Sequence, residues 1–171
     1  MTLLPSQIYH DLKTKHLDKQ SAIRFLLTLI ESSENNSIRL ESIKYLDMIG
    51  IESDDFYALF ENLLISDISR EIRIRAAQIL KDKFSHKALV PIKWTIQHET
   101  DYECLITIIQ TLKEIKNEES KKILVEELKK IRKKKHIDDN KNYNNKSFKR
   151  SLKNLSTKKN LSILTNAELA E

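Results

Sequence analysis

Apolar residues between positions 5 and 134 recur every three or four residues, in eight segments separated by short polar stretches. This spacing is the period of an amphipathic α-helix. The separating stretches have the length of connections in helical hairpins. The pattern therefore predicts eight helices in four antiparallel hairpins, which span residues 5–32, 37–65, 69–99 and 101–134.

Residues at the predicted helix ends agree with these boundaries. Asp18 and Ser53 stand where an N-cap side chain accepts a hydrogen bond from the first turn, and residues 100–103 form a capping-box sequence. Gly50 follows the third predicted helix, where the left-handed backbone conformation favours glycine. Pro91 falls early in the sixth predicted helix, where its missing N–H is tolerated.

The apolar pattern repeats from hairpin to hairpin. In the second helices, Leu26 recurs as Phe60, Ile92 and Leu124, at steps of 34, 32 and 32 residues. In the first helices the same holds for Leu46, Leu80 and Leu112. A fixed period of this length indicates one supersecondary unit stacked on copies of itself, because a single hairpin cannot bury its apolar stripe alone. The repeat predicts an all-α fold of the α-solenoid type.

The repeat has its most specific form in residues 63–80. Leu-Leu-Ile-Ser-Asp at 63–67 is followed by Ile-Arg-Ile-Arg-Ala-Ala-Gln-Ile-Leu at 72–80. This pattern resembles HEAT repeats, in particular the short HEAT-like units of bilin-lyase-related proteins. The resemblance covers about residues 17–131 in architecture and is close over 60–84. It implies a right-handed α-solenoid with an interaction role.

The resemblance also implies a repeat-stacking role for three residues. Asp67 and Arg73 match the family's Asp/Arg pair, which links adjacent repeats through side-chain hydrogen bonds, and Arg39 keeps the Arg position in the preceding repeat. The match is partial, since the Asp position of the first hairpin is Ser33 and the Arg position of the last is Leu105.

Composition excludes several kinds of chemistry. The 171 residues include one glycine, whereas phosphate-binding loops and dinucleotide fingerprints need two or three close together. The single cysteine, Cys104, cannot form an internal disulfide. His98, Glu99, Asp101 and Cys104 straddle a helix boundary and offer metal-ligand chemistry, but a polar loop followed by a core cysteine is the simpler interpretation. We predict a protein that is not an enzyme and has no cofactor or metal.

The expected localisation follows from absences in the sequence, which does not specify the oligomeric state. No apolar run approaches the roughly 20 residues of a membrane helix, and the N-terminus has no signal-peptide pattern. We expect a cytoplasmic protein without a membrane span, and we favour a monomer over an oligomer.

Charge divides the chain into two parts. Residues 1–128 contain 17 Lys and Arg against 21 Asp and Glu, and residues 129–171 contain 13 against 4. We expect a repeat domain over 1–135 and a basic, largely disordered tail or linker over 136–171, in which scattered leucines are compatible with one short terminal helix. A basic segment attracts phosphates. An alternative function is therefore nucleic-acid association through residues 129–159.

Trp94 is the most informative candidate for a binding residue. It lies about 200° around the sixth predicted helix from Ile92, which belongs to the core stripe. On the second helix of a solenoid hairpin this position lines the concave surface, and Trp is enriched at interface hot spots. In the alternative interpretation Trp94 fills the gap to the neighbouring hairpin. A partner contact therefore requires that its indole is not buried.

These observations predict a protein–protein interaction scaffold or adaptor that uses the surface of its second helices. A few apolar anchors would supply most of the affinity, and charges would set specificity and rate. The candidate partner-binding residues are Tyr57, Glu61, Lys93, Trp94, Gln97, Lys129 and Lys130.

Overall fold

The computed structural model describes residues 4–138, with side chains through residue 131. These residues form α-helices and no β-strand, which confirms the all-α prediction for this part of the chain. The seven helices of the described range are α1 (Pro5–Lys13), α2 (Lys19–Ser32), α3 (Asn36–Ile49), α4 (Asp54–Ser66), α5 (Arg70–His98), α6 (Tyr102–Glu114) and α7 (Glu118–Asp138).

The helix ends show the local interactions that the sequence predicts. A carboxylate oxygen of Asp18 accepts a hydrogen bond from the Ser21 N–H at 2.9 Å, and Ser53 Oγ accepts one from the Phe56 N–H at 3.4 Å. Gly50 has φ +72° and ψ +56°, in the left-handed region that glycine occupies without steric cost. The predicted caps at Asp18 and Ser53 and the glycine terminator are therefore confirmed.

The cap of α6 lies one residue later than the predicted capping box. Asp101 is the N-cap residue, and its carboxylate accepts a hydrogen bond from the Cys104 N–H at 2.9 Å. Thr100 stays outside the helix, because its backbone N–H is bound by the Glu99 carboxylate at 2.9 Å. The Glu99 side chain also accepts a hydrogen bond from the Asp101 N–H, so both backbone N–H groups just before α6 are satisfied.

The fifth and sixth predicted helices meet at a kink within α5, at Phe84, where the sequence places the end of the fifth helix. Helix α5 runs for 29 residues, and only Phe84 leaves the helical conformation, with φ −130° and ψ +36°. The residues around this kink include neither glycine nor proline, so nothing in the local sequence opens a loop between the two halves. Phe84 is 6 % exposed and packs edge-on against Tyr57 of α4, with ring centroids 5.7 Å apart.

Pro91 lies in the second half of α5, seven residues after the kink. Its missing N–H leaves the carbonyl of Lys87, four residues earlier, without the usual helical partner. The Tyr57 hydroxyl lies 3.5 Å from that carbonyl oxygen. A side chain from α4 therefore compensates in part for the proline.

The closest helix pairs are mostly successive along the chain. They are α1–α2, α1–α3, α2–α3, α3–α5, α4–α5 and α5–α6. The core includes the positions that the repeat aligns: Leu26 and Ile92 are fully buried, and Phe60 is 1 % exposed. Leu46, Leu80 and Leu112 of the first helices are also fully buried. Leu124, the last member of the second-helix series, is half-buried.

Contacts divide the chain into two units, residues 1–127 and 128–171. The first unit contains α1 to α6 and the beginning of α7. The second is described only over 128–138, which is the remainder of α7. Residues 139–171, where most of the predicted tail and terminal helix fall, lie outside the described residues. Between residues 4 and 138, no helix is both long and apolar enough to cross a membrane.

Candidate functional site

A surface groove of about 480 Å³ lies in the first unit, between the second half of α5 and the start of α7. Leu89 and Ile123 line it and are 3 % and 7 % exposed. Val90 and Trp94 line it from α5 and remain 74 % and 41 % exposed. The groove therefore combines a buried aliphatic base with two accessible apolar side chains.

Helical spacing explains which side chains meet in the groove. Residues 90, 93, 94 and 97 of α5 follow the spacing i, i+3, i+4, i+7, and so do residues 119, 122, 123 and 126 of α7. Each set therefore lies on one face of its helix. Lys93 Nζ lies 3.5 Å from a carboxylate oxygen of Glu126 across the groove. The Gln97 amide donates a 2.7 Å hydrogen bond to Glu127, which is 3 % exposed.

Trp94 is held in a defined orientation by a neighbour on its own helix. Its ring stacks on the His98 imidazole, with centroids 4.1 Å apart and an interplanar angle of 18°. His98 Nδ1 donates a 2.7 Å hydrogen bond to the Trp94 carbonyl oxygen, which can only accept. The indole is not buried, as a partner contact requires.

Tyr57 and Glu61 form a separate cluster on α4. The Tyr57 hydroxyl donates a 2.9 Å hydrogen bond to the Glu61 carboxylate. Burial, together with this contact, raises the pKa of Tyr57 to about 12. Lys87 of α5 lies over the Tyr57 ring, 5.4 Å from its centroid, and pairs with Asp54 at 2.7 Å. This cluster connects α4 to α5 and does not line the groove.

The predicted contact residues are thus divided by the structure. Three of them, Lys93, Trp94 and Gln97, meet in the groove, and Lys129 and Lys130 are exposed residues of the second unit. The residues of α7 that line the groove were not among the predicted contacts. The repeat period is the signal that could have found them, because Glu126 follows Lys93 by 33 positions.

The two arginines to which the family resemblance assigns a repeat-stacking role form ion pairs at the ends of the hairpins. Arg39 forms a bidentate ion pair with the Asp67 carboxylate, and both side chains are largely buried. Its Nε donates a 2.7 Å hydrogen bond to the carbonyl oxygen of Ile30. Arg39 of α3 therefore joins the end of α2 to the end of α4.

Arg73 repeats this arrangement one hairpin later. Its guanidinium donates hydrogen bonds of 2.8 and 3.0 Å to the Glu99 carboxylate, and others of 2.8 and 3.2 Å to the carbonyl oxygens of Asp67 and Ile68. The side chains of Asp67 and Arg73 therefore do not pair with each other. Glu99, 32 residues after Asp67, takes the acidic position for Arg73.

The Glu99 carboxylate makes stability depend on pH. Burial alone would raise its pKa, but hydrogen bonds from Arg73, Cys104 and the Asp101 N–H outweigh burial and hold the pKa below its ordinary value of 4.5. Its contribution to stability is therefore present above that pH and is lost as the pH falls through the folded-state pKa.

We expect Glu99→Gln to reduce the pH dependence of unfolding. Urea unfolding at pH 7 and at about pH 3.5 should show a smaller stability difference for this variant than for the wild type. Glu103→Gln is the matched control, because the Glu103 side chain is 76 % exposed. If both variants keep the wild-type pH dependence, Glu99 is not the responsible group.

The candidate metal ligands at the start of α6 are used for other contacts. Glu99 binds Arg73, Asp101 caps α6 and His98 stacks on Trp94. Burial, reinforced by Glu99, raises the pKa of the Cys104 thiol to about 12, so that it stays protonated at neutral pH. Among the side chains of residues 4–131, no group of three or more His, Cys, Asp or Glu is arranged to hold a metal ion.

Comparisons with protein-family models, with curated proteins and with solved structures found no match. The fold and the site define an all-helical protein, over the described range, with an apolar groove on its surface. The HEAT resemblance and the roles it implies stay predictions. Nucleic-acid association also stays a prediction, because most of the segment 129–159 lies outside the described residues.

Proposed function

We propose that the first unit is a HEAT-like α-solenoid that acts as a non-catalytic protein-interaction scaffold, and that the groove beside Trp94 binds the partner. The observation that carries this proposal is the half-exposed indole, held by its stack on His98 next to the exposed Val90. A rigid aromatic side chain loses little conformational entropy when it is covered, and Trp is enriched among the residues that dominate binding energy.

The solenoid part of the proposal is supported by ion pairs at the period of the sequence repeat. Three such pairs join residues 33 positions apart, and their N···O distances are 2.5 to 3.5 Å. They are Lys81–Glu114, Lys87–Asp54 and Lys93–Glu126. Recurring contacts at one period are what stacked copies of a hairpin produce.

Affinity capture with the full chain and two variants tests the scaffold function. Trp94→Ala is expected to reduce the amount of a specific partner by about 10-fold or more, as for hot-spot aromatics. Phe25→Ala is the matched control, because Phe25 of α2 is also 41 % exposed and does not line the groove.

Two outcomes would contradict the proposal. One is that the wild type and both variants retain the same proteins in equal amounts. The other is that Phe25→Ala loses the partner as strongly as Trp94→Ala does. Circular dichroism of each variant confirms that the comparison is made between folded proteins.

A further inference from the structure

We infer that the groove binds a short amphipathic helix of the partner, with two aliphatic anchors one turn apart and a carboxylate flanked by basic residues along one side. This inference rests on the proposed function and specifies the chemistry of the partner. It follows from the length of the groove, from its two apolar contacts and from the order of charges along α7.

The length of the groove limits the size of its occupant. Its α5 wall runs from Leu89 to Gln97, which is about 12 Å at a rise of about 1.5 Å per residue. A stable interface with a second copy of the chain would bury about 800 Å² on each partner. Two exposed apolar side chains do not supply such an area. A segment of about two helical turns fits the groove instead.

The apolar contacts fit a helix. Val90 and Trp94 are four residues apart and therefore lie one turn apart on the same face of α5. Helices that dock in grooves present anchors with the same spacing, at positions i and i+4. Leucine-sized anchors at this spacing would contact Val90, Trp94 and the buried aliphatic base.

Charges along the α7 wall specify the polar side of the ligand. Glu119, Lys122 and Glu126 follow one another about one turn apart, so that the order is negative, positive, negative. Lys93 lies across from Glu126 and pairs with it at 3.5 Å, but the Glu126 side chain is 57 % exposed, so its carboxylate can accept a second cation from the ligand. The complement is a carboxylate that faces Lys122 with a basic residue on either side. This order reads the same in both directions, so it holds for either orientation of the bound helix.

The same order argues against a phosphate backbone as ligand. A nucleic acid would place negative charges along the whole groove, opposite Glu119 and Glu126 as well as Lys122. Like charges across an interface are unfavourable and serve to exclude wrong partners.

Two synthetic peptides of about 14 residues, in an alanine-rich helical host, test the inference. Both carry leucines at i and i+4. One has Lys, Glu and Lys at successive turns along one flank, and the other has Glu, Lys and Glu there, with composition equalised on the far face. Binding to the full chain is measured by fluorescence anisotropy. We expect the first peptide to bind about 5-fold more tightly than the second, and Trp94→Ala to weaken both.

Adjacent lysines provide a matched pair of variants. Lys122→Glu is expected to remove or reverse the preference between the peptides. Lys121→Glu should preserve it, because Lys121 does not line the groove and pairs with Glu118 at 2.6 Å.

Several results would overturn the inference. These are equal binding of the two peptides, an equal effect of the two lysine variants, and no binding of either peptide at about 1 mM. Self-association that Trp94→Ala abolishes would instead identify a second copy of the chain as the occupant. The affinity-capture experiment distinguishes this inference from the scaffold function. If any of the three peptide results is found and capture of a partner still depends on Trp94, the scaffold function stands and only the proposed ligand class is wrong.

Discussion

Arg73→Ala is expected to lower the free energy of unfolding by about 3–5 kcal/mol, the range for breaking a buried ion pair from one side. The Glu99 side chain is only 4 % exposed and would remain buried without its cation. The carbonyl oxygens of Asp67 and Ile68 would also lose a donor. Urea unfolding at pH 7, followed by circular dichroism, measures the change.

Arg70→Ala is the matched control for this substitution. Arg70 also pairs with acidic side chains, Glu71 and Glu103, but it is 43 % exposed and its pairs are open to water. Exposed ion pairs contribute little, so its unfolding midpoint should stay close to that of the wild type. Equal midpoints for the two arginine variants would contradict the role assigned to Arg73.

A double substitution distinguishes the cost of an unpaired buried charge from the other losses that Arg73→Ala causes. Replacing Arg73 and Glu99 together by apolar residues of similar size should recover part of the stability that Arg73→Ala loses. The reason is that the double variant leaves no unpaired charge in the interior. If the double variant is no more stable than Arg73→Ala, the loss arises from the backbone carbonyls and not from the carboxylate.

Phe60→Ala is expected to destabilise the protein by about 3–5 kcal/mol, as large-to-small substitutions of core aromatics do. Phe60 is 1 % exposed, and its ring meets the edge of Phe56 with centroids 6.1 Å apart. Its removal leaves a cavity in the interior, because the Phe60 side chain is almost fully buried. Thermal and urea unfolding measure the loss.

Phe25→Ala removes the same side chain from the surface. Phe25 is 41 % exposed on α2, so truncation creates no enclosed cavity and should cost much less than truncation of Phe60. A comparable loss in the two variants would mean that the repeat-aligned position is not a core position.

Much of the fold could be predicted because its determinants are local. Asp18, Ser53 and Gly50 act within one helical turn of their own backbone, and their roles follow from side-chain chemistry and the steric freedom of glycine. The repeat series that contains Phe60 depends only on periodicity. Its buried members lie where a stacked unit must exclude water.

The sequence predicts a helix boundary at about Phe84, but it does not predict that this boundary is a kink without a loop. Residues 83–87 contain no glycine or proline and favour continuation of the helix. The departure from helical geometry coincides with burial of Phe84 against Tyr57, a contact between α4 and α5. Tertiary packing therefore decides the backbone conformation at this residue.

Only part of the candidate site could be predicted from the sequence, because the exposure of its residues also depends on packing between helices. The angular position of Trp94 on its helix follows from the sequence, and this predicts an indole away from the core stripe. The choice between an exposed indole and one that fills a gap depends on how closely α7 approaches α5. Lys93 and Gln97 contact acidic residues of α7 beside Trp94, and no property of the α5 sequence specifies these contacts.

The sequence by itself determined that residues 5–134 form helices joined by short connections, where most helices begin and end, and which apolar positions form the core. These properties are set by interactions within a few residues and by a period that repeats. The tertiary structure alone decided that Arg73 pairs with Glu99 and Asp67 with Arg39, and that a groove opens beside Trp94. The physical reason is that ion pairing and exposure depend on distances between helices, which are the sum of many packing contacts and are not encoded at any single position.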